Sequence, residues 1–278
     1  MPLRGMSRRA TALCVALVLA SSAGTARALD PEPVFTCSDE YKGPALLGWC
    51  GAGRFYGPLH LGSLGIVART EEEIYGLAQV ALLAVAGDDF YGVAQVGGLA
   101  IGQRDFVGVQ VAVVGFVDGE LAGIQVGALS VASDESWGVQ LGGLNVSEHR
   151  FAGAQMGAVS VADDLAGLQL GLANAVEDEM YGFQVGGLSL ADEVVGAQIG
   201  WANLARHELV GAQVGLLSSA EEHMYGVQLG LVNYAGRATG LQLGLVNLAD
   251  HLDGIQIGVF NIARHGGLPF LPVLNADW

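Results

Sequence analysis

The chain reads as all-β, a parallel β-solenoid of about 13 coils with 14–15 residues each. Three observations lead there. The first is a unit built on Gly-x-Gln-x-Gly that recurs thirteen times, a fixed period that marks stacked repeats rather than one globular core. Its glutamines are Gln79, Gln95, Gln110, Gln125, Gln140, Gln155, Gln169, Gln184, Gln198, Gln213, Gln228, Gln242 and Gln256. Successive spacings are 14–16 residues, enough for one short coil each. The second is alternation with period two: Leu241, Leu243 and Leu245 interleave with Gly240, Gln242 and Gly244, the mark of a strand with unlike faces. The third is a phase slip past Leu245, where Val246 and Leu248 become the apolar pair around Asn247, as a corner between two short strands would produce.

Taken along the chain, residues 1–28 read as a signal peptide. Arg4, Arg8 and Arg9 precede an apolar run over 10–20, and Ala26-Arg27-Ala28 has the small-x-small form of a cleavage site. Residues 29–56 break the repeat and read as an N-terminal cap. They hold Cys37 and Cys50, close neighbours in a chain expected to be exported, so a disulfide between them is expected. The repeat domain covers 57–266, beginning with a less regular copy in which His60 stands where the glutamine would be. Residues 267–278 carry Pro269 and Pro272, which cannot donate to a sheet ladder, and read as a C-terminal cap.

Within the repeat a second period overlies the first. Five residues after the glutamine the chain reads Ser130, Asn145, Ser160, Asn174, Ser189, Asn203, Ser218, Asn233, in strict alternation. Asn247 and Asn261 then continue as asparagine alone.

Hydropathy assigns the faces. In a solenoid Leu241, Leu243, Leu245, Val246, Leu248 and Leu252 are expected to point inward. Gly240, Gln242, Gly244, Asn247 and Asp250 are expected outside or at corners, forming a flat Gln/Gly face. At about 4.8 Å per step the stack would be roughly 60 Å long, with Gln above Gln and Asn above Asn. The alternative is an antiparallel outer-membrane β-barrel, each unit one strand, its leucines toward lipid and its glutamines toward the lumen. Asn247 would then fall on the lipid side, and the uniformly short connections are unlike the long outer loops of such barrels.

The consensus G-x-Q-x-G-x-x-N-x-A, closed by LPFLPVLN, resembles a family of bacterial surface-repeat proteins best known from spirochaetes. The likeness spans about 57–278; this chain departs by its alternate serines and by Gly-x-x before Gln79 and Gln95. The resemblance implies export and display at the cell envelope, and it carries over no catalytic or binding residue.

Composition narrows the function classes. Without the first 28 residues the formal charge is −20, which repels nucleic acid. At 51% apolar residues the chain is too hydrophobic for disorder. Acid-rich turns, among them Asp163-Asp164, Glu177-Asp178-Glu179 and Glu221-Glu222, would stack into one column and are read as a solvated edge. His207/His223 and His251/His265 would be neighbours on adjacent coils, a pairing that can hold a transition metal but is ordinarily inert in exposed turns. Tyr75, Tyr91, Trp137, Phe151, Tyr181 and Tyr225 precede the glycine and are read as core or corner packing. No phosphate loop, HExxH, CxxC or nucleophile turn is present, so neither catalysis nor a cofactor is expected. The expectation is an exported structural or adhesive envelope protein. Its candidate ladder residues are Gln125 to Gln256, as given above, with Asn233, Asn247 and Asn261. Envelope polysaccharide or protein is the partner class, and membrane association stays open.

Overall fold

A computed structural model of the chain describes residues 55–61, 67–70, 73–266 and 268–278, all within the unit spanning Glu40–Trp278. The signal peptide, Cys37, Cys50 and nearly all of the N-terminal cap lie outside the described residues.

The described chain is a parallel β-solenoid. Its first coils are delimited as separate strands: β1 (Phe55–Leu61), β2 (Val67–Thr70), β3 (Ile74–Val80), β4 (Leu83–Ala86) and β5 (Phe90–Gly102). They form two parallel columns. One stacks β1, β3 and the first half of β5; the other stacks β2, β4 and the second half of β5. A coil is therefore a long strand, a corner, a short strand, and a turn leading up to the next coil. The pattern continues through β6 (Phe106–Val117), β7 (Leu121–Ala132) and β8 (Ser136–His265), which winds on without a break. Glutamine pairs with glutamine in the register: Gln79↔Gln95, Gln95↔Gln110, Gln110↔Gln125, Gln125↔Gln140. The irregular first copy obeys it too, since His60 is the backbone partner of Gln79. Parallel pairing between coils excludes the antiparallel barrel.

A register shift between Tyr91 and Ala94 marks the change from 16- to 15-residue spacing. It is where Gly-x-x-Gln becomes Gly-x-Gln, one residue being absorbed as a bulge. From Gly108 to Gly254 the glycine before each glutamine then adopts φ between 134° and 157°. A β-carbon built there would drive into the carbonyl oxygen of the glycine one coil below. Backbone conformation and stacking thus both require glycine at this position.

The faces are the reverse of the hydropathy assignment. Gln242 and Asn247 are fully buried, and so are all thirteen repeat glutamines from Gln79 to Gln256. Leu243 and Leu245 are exposed, and of the leucines placed inside only Leu252 is buried. The glycines on either side of Gln242 share its parity, so only one set can face in: Gly-Gln-Gly or Leu-Leu-Leu. The second glycine lets the asparagine column in. A β-carbon on Gly244 would meet Asn233 Nδ2 at 2.6 Å and Asn247 Oδ1 at 3.2 Å. Three leucines per strand would force the two strands apart and leave no room for either amide.

The two main apolar clusters are built from two other inward positions. One, just before the strand glycine, holds Phe106, Leu121, Phe151, Leu165, Met180, Leu209, Met224 and Leu252; the other, seven residues after the glutamine, is mostly alanine. Each large side chain buried here contributes about 1.5–3 kcal/mol. Phe90 stacks on Phe106 with ring centroids 4.6 Å apart. Ser136 and Ser147 occupy both positions in the coil of Gln140, and there the apolar core divides in two.

At the far end, β9 (Phe270–Asp277) runs antiparallel to the last coil, the one antiparallel pairing among the described residues. Asn275 becomes the backbone partner of Gln256.

Candidate functional site

The inward amides form two columns. In the first, each glutamine Nε2 donates to Oε1 of the glutamine one coil below. All twelve links from Gln95→Gln79 to Gln256→Gln242 measure 2.7–2.9 Å. The other N–H crosses to the facing strand of its own coil, as from Gln184 to the Leu190 carbonyl at 3.1 Å and Gln228 to that of Tyr234 at 2.9 Å. Both N–H groups of the amide are thereby used. At the end Asn275 Nδ2 approaches Gln256 Oε1 at 3.4 Å, and the rest of its amide binds the Leu268 backbone.

The second column runs the other way. Asparagine Nδ2 donates forward to the next coil, to Val185 O from Asn174 (3.1 Å) and to Leu243 O from Asn233 (3.0 Å). Where asparagines follow one another the side chains also link, Asn233 to Asn247 at 2.8 Å and Asn247 to Asn261 at 2.7 Å. Where serine alternates, the amide chain is interrupted, and only Asn145 reaches its serine, Nδ2 to Ser160 Oγ at 3.3 Å. Oγ of Ser130, Ser189 and Ser218 and Oδ1 of Asn145, Asn174, Asn203 and Asn233 are buried without a hydrogen-bond partner. Serine is too short to span the step that asparagine spans.

Buried and mutually bonded, these side chains cannot form a flat Gln/Gly binding face; that expectation is corrected. Primary amides are neither useful nucleophiles nor bases at neutral pH, and here their donors are turned on one another. The columns hold register, in the manner of stacked amides in other β-assemblies.

Outside, the expected acid-rich edge forms. Asp164 Oδ1 accepts from Glu179 N at 3.1 Å, and Asp105 Oδ1 from Glu120 N at 3.1 Å, so neighbouring turns touch. Arg206 bridges to Asp192 at 2.7 Å and Arg264 to Asp250 at 2.9 Å, each pairing one coil with the next. Tyr234 donates to Asp250 Oδ2 at 3.1 Å; burial first, then this bond and the carboxylate charge, push its phenol above the usual tyrosine range. His251 and His265 do stack, centroids 4.5 Å apart. His207 instead lies 3.6 Å from Glu222, and His223 lies parallel to Tyr225. Among the described residues no three His, Cys, Asp or Glu groups converge as metal ligands. Of the aromatics read as packing, Phe151 is buried, while Tyr75, Tyr91, Trp137, Tyr181 and Tyr225 are exposed along one column.

Sequence reasoning passed over one surface element: the corner three and four residues after each glutamine. Its side chains are among the most exposed hydrophobics of the molecule, Leu172 and Trp201 each at 74%.

No model of a known protein family matches this chain, and no curated protein or solved structure does so either.

Proposed function

We propose that this protein is an exported, non-enzymatic structural element of a cell envelope, a rod whose length is set by coil number. The glutamine ladder carries the reading. Twelve consecutive amide links tie thirteen glutamines into one column, and a repeat held this way offers a long, regular exterior rather than a cleft. Support comes also from the amino-terminal sequence, with its arginines, apolar run and Ala26-Arg27-Ala28, and from the resemblance to bacterial surface-repeat proteins. Adhesion to envelope polysaccharide or protein would use the outer walls, not the glutamines. The test is fractionation of expressing cells combined with N-terminal sequencing. A chain beginning near Leu29 in the periplasm, envelope or medium is expected; an uncleaved chain confined to the cytoplasm overturns the proposal.

A further inference from the structure

The exterior is strongly segregated by charge. Between residues 74 and 263 every Asp, Glu, Arg and His lies eight to eleven residues after a glutamine, in the turn that joins coils. The long strand, the corner and the short strand carry none. The chain reverses at the corner and again at the charged turn, so the two lie on opposite sides of the coil.

The corner includes Trp201, Leu216, Leu231 and Leu245 on four consecutive coils, with Phe260 on the next and Leu172 two coils before Trp201, all exposed. At about 4.8 Å per coil such a ridge runs for tens of ångströms. Contiguous apolar surface of this size marks an interaction site. Its extent selects the occupant. A second solenoid would cover one wall, whereas the charge-free surface takes in both walls as well as the corner. The exposed aromatics Trp137, Tyr181 and Tyr225 stand between the long-strand wall and the charged turn, where amphipathic rings sit at a membrane–water boundary. The backbone is equally suited to hydrocarbon, since stacked coils bond their N–H and C=O groups to one another along the axis.

We propose that the corner ridge docks on a lipid bilayer, the solenoid axis lying in the membrane plane with the acidic edge toward water. Insertion would take in both charge-free walls up to the aromatic row, six residues or about 20 Å of strand from the corner. Net negative charge favours zwitterionic over anionic lipid. The proposal holds whichever compartment the chain occupies, so failed export would leave it standing.

The experiment is flotation of the full chain with phosphatidylcholine vesicles, beside a corner variant carrying Leu172→Ser, Trp201→Ser, Leu216→Ser and Leu231→Ser. An edge variant, Glu221→Gln with Glu222→Gln, serves as control, and circular dichroism checks that all three fold. The native chain and the edge variant should float, and the corner variant should lose binding by about tenfold or more. In a chain keeping Trp201 as its sole tryptophan, spin labels on the acyl chains should quench its fluorescence. Should the corner variant misfold, this quenching decides alone. Failure of the native chain to float, equal flotation of a folded corner variant, or a dimer in which Trp201 is shielded without lipid would each overturn the proposal.

Discussion

The two buried amide columns occupy one interior and meet the same coil spacing, yet one is continuous and the other broken. Glutamine links to glutamine at 2.7–2.9 Å along the whole stack. The asparagine column achieves this only between Asn233 and Asn261 and elsewhere leaves polar atoms orphaned. The difference teaches that a buried amide row stabilises only when it is unbroken: each member satisfies its neighbour, and a shortened member leaves two atoms unmet.

Breaking the continuous column should have the largest effect. Gln184→Leu leaves Gln169 Oε1 and an N–H of Gln198 without partners and removes a donor from the Leu190 carbonyl; at about 1–3 kcal/mol for each of the two orphaned groups, urea denaturation should show a loss of about 2–6 kcal/mol. Mending the other column should act in the opposite direction. Ser189→Asn would reach the Oδ1 of Asn203, its amide lying by Gly200 as those of Asn174 and Asn203 lie by Gly186 and Gly215. A gain of about 1 kcal/mol is expected, read as slower amide exchange in those coils. Ser218→Ala removes a buried hydroxyl that bonds to nothing, so no loss and a gain of up to about 1 kcal/mol is expected in the same measurement.

The smallest effect lies outside the columns and shows only in alkali. A phenol whose folded-state pKa is raised adds stability that is complete below the unfolded value, near 10, and is lost as pH rises through the folded value. Tyr234→Phe should therefore flatten part of the stability decline above about pH 10, measured by thermal melts across that range. Tyr91, raised by burial and by Asp89, and Tyr181, raised by its bond to Glu179 and by that charge, should keep the rest of the decline.

Period, parallel stacking and corner were legible in the residues themselves. Spacing of 14–16 between glutamines is the coil, and Gly-x-x before Gln95 is the bulge at Tyr91–Ala94. Which side faces in was misread, because leucine was weighed by hydropathy and glutamine by polarity. The contrary signal was present. A solvent-facing position has no reason to be glutamine thirteen times, whereas a side chain that must both donate to and accept from its own copy does. The alanine seven residues later said the same of an interior with little room. The apolar corner was missed for the complementary reason, that its leucines had been assigned to the core.

Asn275 has a consequence for how such a chain can change length. Its amide enters the glutamine row backwards along the chain, from a strand of opposite direction, and it accepts from and donates to Leu268 rather than offering an acceptor to another coil. No further coil can stack on that end of the glutamine row without displacing β9. A gene encoding this molecule would lengthen or shorten it by in-frame gain or loss of internal segments of one coil, or of a Ser–Asn pair of coils, and leave the segment encoding β9 untouched. Variants of different length should then share the same ending while differing in the number of units before it.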